Sequence, residues 1–180
     1  MSLQKQQDFL ARLFIDEGLR QNFLSAPEKI GAENGLNESE INDLQIILPE
    51  QISFFAESLF WKRLREVEKM LPLTKEFLDA NFVELFREFA ENYNPNTVKK
   101  HLEDAIEFCK FLAKAGVSEI VKNVAKFEQT KLEFFGYGKR FAICRLDYDI
   151  KEISREGAKA QRKTFAIWLK IGNKIKYFNF

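Results

Sequence analysis

Residues 135–150 read FGYGKRFAICRLDYDI, and inside this stretch the hydrophobic period changes from about 3.6 to 2. Beyond Gly136-Tyr137-Gly138, Ala142, Cys144, Leu146, Tyr148 and Ile150 alternate with Phe141, Ile143, Arg145, Asp147 and Asp149, as in a strand with one drier face. A charged loop follows from Ser154 to Lys163, and two further apolar runs, 164–171 and 174–180, flank Gly172-Asn173. Glycine at the first loop position suits a two-residue hairpin turn of type II′. That turn pairs Phe165 with Phe180, Ile167 with Phe178, and Trp168 with Tyr177. A sheet buries one apolar face. The Phe165/Ile167/Phe178/Phe180 face is the more apolar and is expected inward, which leaves Trp168 and Tyr177 outward. Lys170, Arg162, Lys163 and Arg145 would rim them, and an aromatic pair in a basic rim has the make-up of a partner-binding hot spot.

Upstream of residue 138 the spacing is helical. Leu3, Phe9, Leu10, Leu13 and Phe14 follow a capping Ser2, Gly18 marks a break, and Leu19, Phe23 and Leu24 start a second stripe. Pro27 opens a turn ending near Gly31 or Gly35, and Asn37 with Glu40 forms a capping box for residues 38–48. Pro49 opens the longest helix, to Met70, and Pro72 ends it. Thr74 is expected to cap a single helix carrying Phe77, Leu78, Phe82, Leu85, Phe86 and Phe89. Asn96 or Thr97 then caps a helix with Val98, Leu102, Ile106, Cys109 and Leu112 on one face. Gly116 closes it, and Ser118 caps the last helix, with Val121, Val124, Phe127, Leu132 and Phe135. Short connections make such helices antiparallel neighbours. The expected fold is therefore α+β: an antiparallel helical bundle over about residues 3–135, then a small C-terminal antiparallel sheet. The expected divisions are an N-terminal helical cluster (1–48), a bundle (49–138) and a basic sheet packed on it (139–180).

Composition narrows the function. The 180 residues suit one domain, or one with a small appendage, and 46% hydrophobic against 31% charged residues argues for a globular chain rather than a disordered one. Nineteen Phe beside two Trp suggest a Phe-rich core, and a single His excludes a His-rich metal site. No apolar run approaches the roughly 18 residues a membrane helix needs. The start, MSLQKQQDFL, has no apolar signal core, and the two cysteines, read as reduced and unpaired, fit an expected cytoplasmic protein. Net charge is +1, but residues 139–180 hold 11 Lys/Arg and 4 Asp/Glu, so the basic excess lies in the tail and the rest is acidic. Such asymmetry hints at a polyanionic or acidic partner.

Catalytic chemistry finds little support. His101 lies among Lys99, Lys100 and Glu103 with no nucleophile motif and reads as a helix-surface residue. Cys109 and Cys144 share no metal-ligand spacing and read as reduced core residues. Asp147 and Asp149 point to one side of a strand but lack an identifiable third ligand. Gly136-Tyr137-Gly138 precedes a strand, whereas a phosphate loop follows one. No catalytic residue, cofactor or metal is expected.

Residues 58–95, SLFWKRLREVEKMLPLTKEFLDANFVELFREFAENYNP, resemble the helical domain of HvfC-type proteins, with a helix, a Leu-Pro break and a Phe-rich helix ending in an aromatic and Pro. KHLEDAIEFCKFL (100–112), KFEQTKLEF (126–134), RLDYDIKEI (145–153) and FAIWLKIGNKIKYFNF (165–180) are similar to that family's later segments. Leu71-Pro72 stands where the family has Phe-Pro, Leu78–Phe82 lacks its Gly-Glu, and residues 9–36 fall outside the pattern. They resemble instead a short helical module also seen in leader regions of some ribosomal peptides. The resemblance implies a non-catalytic accessory or adaptor protein that binds a peptide or a partner enzyme, in ribosomal-peptide modification. Two alternatives stay open: nucleic-acid binding through the basic strands, where aromatics can stack bases, and a helical bundle holding a small molecule in a Phe-lined cavity.

Overall fold

The apolar spacings of the N-terminal stretch form helices α1 (Ser2–Ile15), α2 (Glu17–Ser25), α3 (Pro27–Glu33) and α4 (Glu38–Gln45). The computed structural model describes residues 2–47, 49–95, 97–150 and 163–180, with the side chain of Ser2 excepted. The expected caps at Ser2 and Asn96, the end of α4 at Leu48, and most of the loop 154–163 therefore lie outside the described residues.

The chain divides into two compact units, Met1–Arg63 and Leu64–Phe180. In the first, Phe9, Leu13, Phe23, Leu36, Ile41, Leu44 and Ile52 make one core. The break between α1 and α2 falls at Asp16, not Gly18, because the Asp16 carboxylate accepts the Leu19 N–H at 2.8 Å and caps α2. Asn37 and Glu40 close their capping box at 2.9 and 2.7 Å. Gly35 follows α3 with φ of +79°, a conformation that favours glycine.

Helix α5 (Pro49–Met70) ends before Leu71-Pro72, as the proline dictates. In the second unit the sequence expectation of one helix after Pro72 is corrected. Two form, α6 (Pro72–Leu78) and α7 (Asn81–Asn92), because Asp79 turns to φ of +49° between them. With ψ of −124° the residue lies outside the left-handed helical region, in a conformation that L side chains rarely adopt. Thr74 is not the cap. Pro72 opens α6, and the next two N–H groups, of Leu73 and Thr74, donate to the Glu128 carboxylate at 3.0 and 2.8 Å. Glu128 thus satisfies donors that a helix start leaves orphaned.

Burial pushes the Glu128 carboxyl above its ordinary value of 4.5, against the pull of those N–H groups. Its contribution to stability is complete below about 4.5 and is lost as pH rises through the raised native value. Wild type should therefore gain stability relative to Glu128→Gln as pH falls from neutral towards 4.5. A pH-independent difference in urea unfolding would contradict this.

Helix α8 (Lys100–Lys114) starts later than expected, and Val98 is fully exposed before it. Helix α9 (Glu119–Gly136) begins at the Ser118 cap. At its end Phe134 is buried and Phe135 exposed, reversing the expectation. Phe134 lies seven residues after Phe127, on the same side of the helix, and Phe135 is rotated away by about 100°. Phe82, Phe86 and Phe89 of α7 converge on Phe108 of α8, the Phe-rich core that the composition suggested.

Strands β1 (Phe141–Leu146), β2 (Thr164–Ile171) and β3 (Lys174–Asn179) form an antiparallel sheet in that order. The architecture is α+β. The hairpin register is the expected one: Ile167 pairs with Phe178, Trp168 with Tyr177, and Phe165 exchanges backbone hydrogen bonds with Phe180. Gly172 has φ of +58° and Asn173 has no positive φ, as type II′ requires.

Candidate functional site

The two faces of the sheet follow from its register. Cys144 pairs with Ala166 and Ala142 with Trp168, so these side chains share one face, and that face is packed on α9. Phe134, Cys144, Leu146, Ala166 and Trp168 form its core. The Trp168 ring lies 5.3 Å from Phe127 of α9 and 5.3 Å from Tyr177. Trp168 is only 3% exposed. The expectation that it stands outward as a contact residue is therefore corrected. The small residues Ala142, Cys144 and Ala166 leave the room in which a helix and one large ring can pack closely. Tyr177 shares the inner face but keeps an exposed edge, and burial, with Asp149 nearby, raises its phenol above the ordinary value.

The outer face carries the residues expected inside. Its rows are Arg145–Phe165–Phe180, Ile143–Ile167–Phe178 and Phe141–Leu169–Lys176, with Ile171 and Lys174 beyond. Phe141 is 53%, Ile143 52% and Phe180 70% exposed. Central strand β2 presents only apolar side chains here. Among the described residues the face holds no acidic group, and no carboxylate pairs with Arg145, Lys174 or Lys176. Scattered surface apolar residues need no explanation, whereas a contiguous patch rimmed by polar groups marks an interaction surface.

The other residues of the expected site separate. Arg145 lies on the outer face, Lys170 at the exposed far end of the inner face, and Lys163 is exposed just before β2. Arg162 lies outside the described residues. The sheet itself is anchored from α9. Asn123 accepts the Asp147 N–H at 2.8 Å and donates to the Tyr148 carbonyl at 3.2 Å, and Lys126 donates to the Arg145 carbonyl at 2.8 Å. The Asp149 carboxylate accepts from Asn179 at 2.9 Å, so the two aspartates do not act as a free pair.

Both cysteines are buried and unpaired with one another. Burial raises the Cys109 thiol well above its ordinary value, with Glu128 adding to it, and burial raises Cys144 too. Neither is an activated thiolate. A hollow of about 370 Å³ is lined by Cys109, Lys122, Asn123, Lys126, Gln129 and Asp147, and one of about 490 Å³ lies along α7 at Asn81, Leu85 and Glu88. Of the residues lining these two hollows, Phe77 is a phenylalanine. His101 Nδ1 is buried without a hydrogen-bond partner among the described residues. Those residues include no group of three His, Cys, Asp or Glu placed to hold a metal. No described helix is long and apolar enough to cross a membrane.

Compared with protein-family models and with curated proteins, the chain matches none.

Proposed function

We propose that this protein is a cytoplasmic, non-catalytic accessory protein whose sheet docks a protein or peptide partner on its outer face. The observation that carries the reading is the row Ile143–Ile167–Phe178 with Phe141 beside it, a large apolar surface held open on a sheet whose other face is already packed. The resemblance of about residues 50–180 to HvfC-type proteins supports the same reading and suggests a peptide-modifying enzyme or its substrate as the partner. Copurification at low salt from the producing cells should bring down a defined partner with wild type. Ile143→Glu, at an exposed edge-strand position, should abolish capture while leaving the fold intact. A partner retained by Ile143→Glu would remove the reading.

One observation favours nucleic acid as a second reading. Phe141, Phe165, Phe178 and Phe180 share the face with three cations and no described acid. Aromatics on a basic surface stack single-stranded bases, with binding that weakens steeply as salt rises. Single-stranded RNA or DNA shifting the protein at low salt, and releasing it at high salt, would support that alternative.

A further inference from the structure

The arrangement of charge on the outer face says more than that it is apolar. Arg145 stands at one corner, and Lys174 with Lys176 at the diagonally opposite one. Phe141 and Phe180 occupy the other two corners. An apolar diagonal therefore runs from Phe141 across Leu169 and Ile167 to Phe178 and Phe180, with cations on both flanks.

The width of the face limits what can lie there. Three strands about 4.8 Å apart span roughly 10 Å between the outer strand axes, and a helix with its side chains is about 10–12 Å wide. The opposite face of this same sheet already packs against one helix, α9. An extended peptide would add to an edge, not to a face, and β3, one of the edges, carries Lys174 and Lys176. A second copy stacked face to face would set two groups of Arg145, Lys174 and Lys176 against one face pair, with no described acid to offset them. Stacked bases need aromatic rings along the centre, yet central strand β2 offers one ring, Phe165 at its end, and otherwise Ile167, Leu169 and Ile171, which have no π face.

We propose that the outer face of the sheet receives a single amphipathic helix of a partner, apolar along one stripe and acidic on both sides of it. This rests on the docking reading above and names its occupant. The helix would lie along the Phe141–Phe180 diagonal, with its acids against Arg145 on one flank and Lys174 and Lys176 on the other. That diagonal, four residues along the strands and two strand spacings across, runs about 17 Å, which about 11 helical residues cover.

The test uses the full chain and synthetic peptides of about four helical turns. One carries a leucine stripe flanked by glutamates, one the same residues scrambled, and one lysines in place of glutamates. Fluorescence anisotropy should show the acidic striped peptide binding at least about tenfold more tightly than either control, with a gain in helicity by circular dichroism. Combining Arg145→Glu with Lys176→Glu should reverse the preference towards the lysine peptide, and both sites are exposed, so the fold should persist. Equal binding of the scrambled peptide, preference of wild type for the lysine peptide, or no binding of the acidic one would overturn the inference. Binding of a single-stranded oligothymidine in its place, or a concentration-dependent dimer in sedimentation, would do the same. If these probes fail while Ile143→Glu still abolishes copurification, the occupant is wrong and the docking face stands. If Ile143→Glu leaves copurification unchanged, the docking face falls as well.

Discussion

Replacing Phe108 with alanine should cost the second unit about 3–5 kcal/mol, near the upper end of that range. The Phe108 side chain is fully buried, with ring centroids 5.2 Å from Phe82, 5.2 Å from Phe86 and 5.5 Å from Phe89. Its removal leaves a cavity walled by three rings on a neighbouring helix, and a rigid helix cannot collapse fully into it. Edge-to-face aromatic pairs add about 0.5–1.5 kcal/mol each to the area term, and two are lost. Such a loss is a large fraction of a typical total of about 5–15 kcal/mol. The chain has two tryptophans, Trp61 in the first unit and Trp168 in the second. In a Trp61→Phe background, urea unfolding followed by Trp168 fluorescence reports the second unit alone. Phe135→Ala, at an exposed ring on α9, should change the same transition by under about 0.5 kcal/mol. A Phe108→Ala loss no larger than that of Phe135→Ala would mean that the rings are not close-packed.

Trp168→Ala should be about as costly, again roughly 3–5 kcal/mol. The indole fills the space between α9 and the hairpin, against Phe127 and Tyr177. Its neighbours on the inner face, Ala142, Cys144 and Ala166, are too small to close the gap. The damage should centre on the sheet. Hydrogen exchange of β2 and β3 amides should accelerate more than that of α7 and α8. A variant as stable as wild type would place the indole outside the core and restore the outward reading of the sheet.

The sequence made the fold class legible because its period changes cleanly at Gly136–Gly138 and its punctuation is chemically explicit. Pro49, Pro72, the Asn37/Glu40 box, Ser118 and Gly172 each act locally, so each could be read locally. Two features could not. The α6–α7 break has no Gly or Pro; it depends on Asp79 accepting positive φ, and α6 depends on Glu128, distant in sequence, for its cap. The facing of the sheet turned on size rather than hydrophobicity. Phe165, Ile167, Phe178 and Phe180 outweigh Ala166, Trp168 and Tyr177 in apolar content, yet the face with small residues is the one a helix can approach. The register between β1 and β2, Cys144 opposite Ala166, links the drier face of β1 to Trp168, and that register is a tertiary fact. The expected aromatic centre, Trp168, thus lies on the packed face, and Arg145 is the expected residue that lies on the open one.

Carbene footprinting read by mass spectrometry, on the full chain alone and in the complex captured from its own cells, would show whether the outer face of the sheet is the docking surface. Phe141, Ile143, Phe165 and Ile171 should be labelled in the free protein and protected in the complex, with Trp168 unlabelled in both. Labelled Trp168 in the free protein, or a protected patch that lies elsewhere while Phe141 and Ile143 stay labelled in the complex, would contradict this reading.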